Sequence, residues 1–145
     1  MNPYQDFEAL SGTYGKLYEG GKWLAQFHSI ETNFEHQYED VPQAGNTVMG
    51  KKYSGTEYSG TMTCIQYESE FIERVLVLRP DQRPLVTELL VTVEDPAAIG
   101  AYKVRLTGVK FTSGSIINFE HGSPIEQEFE FTFSGVEIVE GIAAR

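Results

Sequence analysis

Ile125-Glu126-Gln127-Glu128-Phe129-Glu130-Phe131-Thr132-Phe133 sets three phenylalanines against three glutamates in strict alternation. Successive side chains of a strand point to opposite faces, so Phe129, Phe131 and Phe133 need a dry side while Glu126, Glu128 and Glu130 face water. A helix would scatter both sets around its circumference. The alternation runs on towards Val139 and predicts one strand over residues 125–139 in an antiparallel sheet.

The flanking sequence follows the same logic. Residues 102–111 set Tyr102, Val104 and Leu106 against Lys103, Arg105 and Thr107, and residues 85–94 form a β-branched run bounded by Pro84 and Asp95-Pro96. Only residues 70–78 suggest a helix: Phe71, Val75 and Leu78 recur at helical spacing, Ser69 suits the N-cap, and Pro80 stops the run.

Towards the N-terminus, Gly20-Gly21 between residues 15–19 and Lys22 predicts a tight hairpin. Residues 23–38 lack Gly and Pro and read as one long strand. His28, Ile30, Thr32, Phe34, His36 and Tyr38 share one face; Ser29, Glu31, Asn33, Glu35, Gln37 and Glu39 share the other, which is polar throughout. Residues 40–52, with Pro42, Gly45, Asn46 and Gly50, read as a long loop. Residues 53–68 read as a second long strand bent at Gly55 and Gly60. Its near repeat, Tyr-Ser-Gly-Thr at 53–56 and 58–61, has an odd offset that sets equivalent residues on opposite faces. Each long strand would span about 50 Å, well beyond the usual five or six residues. Residues 1–13 show no sustained period and read as an arm. The fold class is therefore mainly β: an antiparallel sandwich or barrel with one short flanking helix, one domain over residues 14–145.

A chain of 145 residues can bury about two thirds of its extended surface, leaving about 7,500 Å² exposed, without covalent staples. The single cysteine, Cys64, has no second thiol, which excludes an internal disulfide, and no histidine pair stands beside it for a zinc ribbon. A net charge of −10 repels a polyanion, which disfavours wrapping of nucleic acid. No basic stretch leads into an apolar run at the N-terminus and no segment nears about 18 apolar residues, so a cytoplasmic product with neither signal peptide nor membrane anchor is expected.

Candidate sites are few. Glu126, Glu128 and Glu130 explain themselves as a solvated or lumen-facing sheet face. His28 and His36, eight residues apart on a strand, are too distant to share a metal, and His121 adjoins a turn. Cys64, flanked by Thr63 and Ile65, reads as structural. The nucleophile-elbow, zinc-protease, phosphate-loop and dinucleotide motifs are absent from the sequence. No catalytic residue, metal or cofactor is expected. Lys51-Lys52, a local positive feature in an acidic chain, reads either as a solvated tip or as a contact for an acidic surface on an identical neighbour.

The order of elements resembles a known family. Ser11-Gly12-Thr13-Tyr14-Gly15, Lys16-Leu17-Tyr18, Gly20-Gly21-Lys22, Ile30-Glu31-Thr32-Asn33-Phe34-Glu35, the run from Gly45 to Gly50, then Gly55, Gly60-Thr61 and Phe129-Glu130-Phe131-Thr132-Phe133 resemble the tail tube (tail core) proteins of PBSX-like prophages, contractile phage tails and R-type bacteriocins. The resemblance implies homohexameric rings stacked into a hollow tube inside a sheath. Baseplate and tape-measure proteins would be further partners, and DNA a transient passenger. Such a protein would be assembled in the bacterial cytoplasm and end in a virion tail or bacteriocin particle.

It also implies that Gly45, Asn46, Met49, Gly50, Lys51 and Lys52 contact the next ring. The lumen candidates are Glu31, Asn33, Glu35, Glu126, Glu128 and Glu130, on an inner barrel to which residues 23–38, 53–68, 115–121 and 125–134 contribute. On this reading Gly50→Pro should block stacking and leave a folded subunit. The alternatives are a tube ring of a type VI secretion kind, or a small β-barrel enzyme or ligand-binding module with its pocket between sheets.

Overall fold

Gly20 and Gly21, at φ 58° and 87°, turn the chain between β1 (Gly15–Glu19) and β2 (Lys22–Trp23). A two-residue hairpin that follows strand twist needs positive φ at both central residues, which glycine adopts without steric cost. The computed structural model describes residues 5–45 and 47–142. Within it β3 (Phe27–Val41) and β4 (Gly50–Ile65) form the long hairpin, α1 (Glu70–Val75) follows, and β5 (Val86–Val93), β6 (Tyr102–Gly114), β7 (Glu126–Phe133) and β8 (Gly135–Glu140) complete the chain. The strands form one antiparallel sheet in the order β2-β1-β5-β6-β7-β4-β3, with β8 paired to β6. The expected class, mainly β with a short flanking helix, is the observed one.

The core is the inner face of that curled sheet. Leu17, Met62, Leu89, Leu106, Val109, Phe129 and Phe131 from five strands lie in one buried cluster. Each of β7's phenylalanines is buried and each intervening Glu or Thr exposed, as its alternation requires. Gly60 makes a close approach possible. A Cβ there would stand 2.6 Å from Phe131 Cζ and 2.6 Å from the Glu31 carbonyl, so β4 receives the Phe131 ring only because position 60 has no side chain. Gly60 is thus a contact point between β4 and the core.

α1 packs against the core through Phe71 and Ile72. Its Phe71 meets Phe27, Phe111 and Phe129 edge-on at centroid distances of 5.2, 5.4 and 5.3 Å, a favoured aromatic geometry. The helix is shorter than the expected 70–78. Ser69 has αR geometry and accepts no capping bond; Glu68 Oε2 instead accepts from the Glu70 N–H at 2.6 Å. Past Val75, Gln82 donates to the Leu76 carbonyl at 2.6 Å and accepts from the Leu78 N–H at 3.1 Å. A side chain from outside the helix therefore takes these backbone groups, and Leu78 is left exposed. Beside α1, Arg74 Nη1 donates to the buried Glu19 carboxylate at 2.8 Å.

Four boundaries differ from expectation for reasons of pairing. The strand expected over 23–38 breaks at residues 24–26, where Leu24 is buried and donates to the Leu17 carbonyl at 2.8 Å; the break carries the chain from one sheet edge to the other. The loop expected over 40–52 narrows to residues 42–49, because Val41, Asp40 and Glu39 pair with Gly50, Lys51 and Lys52. The strand expected over 125–139 divides at Ser134, since β7 pairs with residues 110–114 of β6 and β8 with residues 103–107. Residues 115–121, expected as a barrel strand, form none. Of the expected arm, residues 1–4 lie outside the described residues; Ser11 is tied to the body by its N–H, which donates to Asp95 Oδ2 at 3.1 Å.

Candidate assembly surface

Register brings the six acidic and amide lumen candidates onto one face. Glu31 pairs with Thr61, Thr61 with Glu130, and Glu130 with Ser113, forming one cross-strand row. The next row is Asn33, Ser59, Thr132 and Lys110. Glu35 stands directly opposite Glu57, and Glu128 and Glu126 continue the face opposite Thr63 and Ile65. All six candidates are exposed. Like charges placed opposite one another in a ladder are destabilising, so Glu35 and Glu57 belong on a hydrated surface. Ser113 Oγ donates to Glu130 at 2.9 Å and His28 Nε2 lies 3.8 Å from Glu126.

The opposite face of the same hairpin is aromatic. Pairing between β4 and β7 ends at Tyr58 with Phe133, so residues 50–57 pair only with β3 and project about 25 Å beyond the barrel. From the root outward, Phe34, opposite Tyr58, lies 4.8 Å from His36, His36 5.4 Å from Tyr53, and Tyr53 6.1 Å from Tyr38. A bulge at Ser54 makes that ladder possible. Gln37 pairs with Gly55 but Tyr38 with Tyr53, so the extra residue restores Tyr53 to the face of Tyr58. The two tyrosines of the near repeat therefore share a face, contrary to the expectation from their odd offset. Phe34 remains 66% exposed. At the hairpin root a groove of about 500 Å³ opens between Phe34, Tyr58, Val93, Tyr102, Phe133 and Val136.

Two edges complete the surface. β3 ends the sheet order, so its 15 residues have a strand neighbour on one side only among the described residues. Among the described residues β8 pairs only with β6. Such edges are templates for another strand. Of the predicted contact residues, Met49 lies in the connection and Gly45 takes φ 77° there. Gly50, Lys51 and Lys52 sit on β4 instead, and Asn46 lies outside the described residues. Lys51 Nζ pairs with Asp40. Since Gly50 is the first residue of β4, where proline is tolerated, Gly50→Pro no longer probes a loop.

The remaining candidates are accounted for without chemistry. Cys64 is buried, its thiol pushed up to about 11 by burial, and its sulfur lies 3.9 Å from Gln127 Oε1. Among the described residues, no group of three His, Cys, Asp or Glu side chains is placed to hold a metal. No helix there is long and apolar enough to cross a membrane.

The fold is thus a curled antiparallel sheet with one hydrated acidic face, one aromatic projection and a long edge strand, β3. The model of the phage tail tube protein family matches residues 3–140, and the chain belongs to that family. Its members are structural components of phage-type tails, not enzymes. The chain is 26% identical over 136 residues to the phage-like element PBSX protein XkdM of Bacillus subtilis (strain 168), covering 92% of each chain. Its fold is similar to a chain of the sheath-tube complex of an extracellular contractile injection system, PVC, in the extended state (TM-score 0.72, 11% identity, 90% of this chain and 93% of that chain). It is also similar to a chain of the virion of a native gene transfer agent particle (TM-score 0.63, 15% identity, 91% and 100% of the two chains).

Proposed function

We propose that this chain assembles into homohexameric rings that stack into a hollow tail tube inside a contractile sheath. The observation that carries the reading is the free edge of β3 beside the continuous row of Glu31, Thr61 and Glu130. Pairing that edge with a neighbouring copy extends the acidic face around a ring and removes an aggregation hazard at the same time. Residues 1–13 act as an arm to a neighbouring subunit and residues 14–145 as one body. The inward face of the ring is lined by Glu31, Asn33, Glu35, Glu126, Glu128 and Glu130.

A charge of −10 per copy gives about −60 per ring, and an acidic bore repels a DNA passenger from the wall so that it slides without sticking. Sheath, baseplate and tape-measure proteins are the further partners. Assembly takes place in the host bacterial cytoplasm, and the product is a virion tail or a bacteriocin particle. Electron microscopy of the purified chain across a concentration range, with sedimentation mass, tests the reading. Rings or hollow tubes support it, and a particle that stays monomeric at every concentration and beside a sheathed-tail extract overturns it.

A further inference from the structure

The connection between β6 and β7, residues 115–125, lies at the barrel end opposite the hairpin tip. Register fixes this: β7 starts at Glu126 opposite Ile65, the last residue of β4, whereas β4 starts at Gly50 in the tip. About 50 Å of strand separates the two. This corner presents Ile116, Ile117 and Phe119, the last two 65% and 69% exposed. It is also held in place from below. Gln127, buried on the phenylalanine side of β7, donates through Nε2 to the carbonyls of Ser115 and Ile116 at 3.3 and 3.2 Å. A buried amide spent on fixing an exposed apolar corner pre-organises that corner for contact.

We infer that residues 116–119 form the seat for the hairpin tip of a second copy in the next ring, an inference that rests on the stacked-tube reading. The two surfaces match in character. Met49 at the tip is exposed and apolar like the corner. Lys52, next to the tip on β4 and opposite Glu39 in the ladder, and Glu120 beside the corner form no ion pair among the described residues, so each can offer its charge to the other across the contact. Because the contact joins opposite ends of the molecule it is heterologous, and repetition along one axis gives an open stack instead of a closed pair.

The test is cross-linking in the assembled particle. Met49→Cys combined with Phe119→Cys, under mild oxidation, is expected to give a ladder on non-reducing gels that runs past six subunits. Cross-links confined to one ring would stop at six, and tubes that form with no cross-link, or with such a six-subunit limit, overturn the inference while leaving the tube reading intact. Failure to form rings or tubes at all overturns both. As a second variant, Ile117→Glu changes an exposed side chain and leaves the core untouched. It is expected to raise the concentration needed for stacking by about tenfold or more with rings retained, and Lys52→Glu to be rescued by Glu120→Lys. Unchanged stacking by Ile117→Glu contradicts the seat.

Discussion

Tyr38 and Tyr53 face each other edge-on at 6.1 Å across the hairpin, and they do so because β4 carries one residue more than β3 at Ser54. Inserting one residue between Gln37 and Tyr38 gives Ser54 a partner, restores regular pairing and turns Tyr38, Tyr53, Lys52 and Lys51 to the opposite faces. The monomer should keep its stability to within about 0.5 kcal/mol, since these residues are exposed and outside the core. Assembly should be lost. Thermal melting of the monomer alongside sedimentation of the assembly checks both halves.

Gly60 admits the Phe131 ring against the β4 backbone. Gly60→Ala is expected to cost about 1–3 kcal/mol, the range for overpacking a filled core. Gly55→Ala, where a Cβ meets nothing within 4 Å, is the control and should stay within about 0.5 kcal/mol. Urea titration of the two variants compares them directly.

Arg74 neutralises a Glu19 carboxylate whose second oxygen is buried and finds no hydrogen-bond partner among the described residues. Arg74→Ala should destabilise the monomer by about 1–3 kcal/mol, less than a fully enclosed pair would lose because solvent reaches the guanidinium. Adding Glu19→Gln should recover part of that loss. A double-mutant cycle by chemical denaturation measures the coupling; additive single effects would contradict it.

Burial raises the Cys64 thiol from 9.0 to about 11. A folded-state value above the unfolded one means that stability is fully present below pH 9 and is lost as pH rises through about 11. Unfolding midpoints should therefore fall across that window, and Cys64→Ala should flatten this part of the profile. At pH 8 a thiol reagent should leave the native chain unlabelled and react once denaturant is added.

Much of the fold was legible because its signals are local. The phenylalanine and glutamate alternation of β7 and the Gly20-Gly21 turn each carry their structure within a few residues, and both are found where expected. The polar face of Glu31, Asn33 and Glu35 was legible for the same reason. Pairing partners were not. The break at residues 24–26, the division at Ser134 and the bulge at Ser54 arise where a strand changes neighbour or gains a residue against it. The corner at Ile116, Ile117 and Phe119 was hidden as well: residues 115–121 were expected to supply a strand of the inner barrel, whereas their apolar side chains are exposed and their backbone is held by the distant Gln127 amide.

Helical reconstruction of the assembled particle, at a resolution that places side chains, tests the central claim most directly. The account predicts six-fold rings in a hollow stack, with Glu31 and Glu130 lining the bore and the β3 edge paired to the adjacent copy. An assembly whose acidic face points outward, or whose β3 edge stays unpaired within the ring, would contradict it.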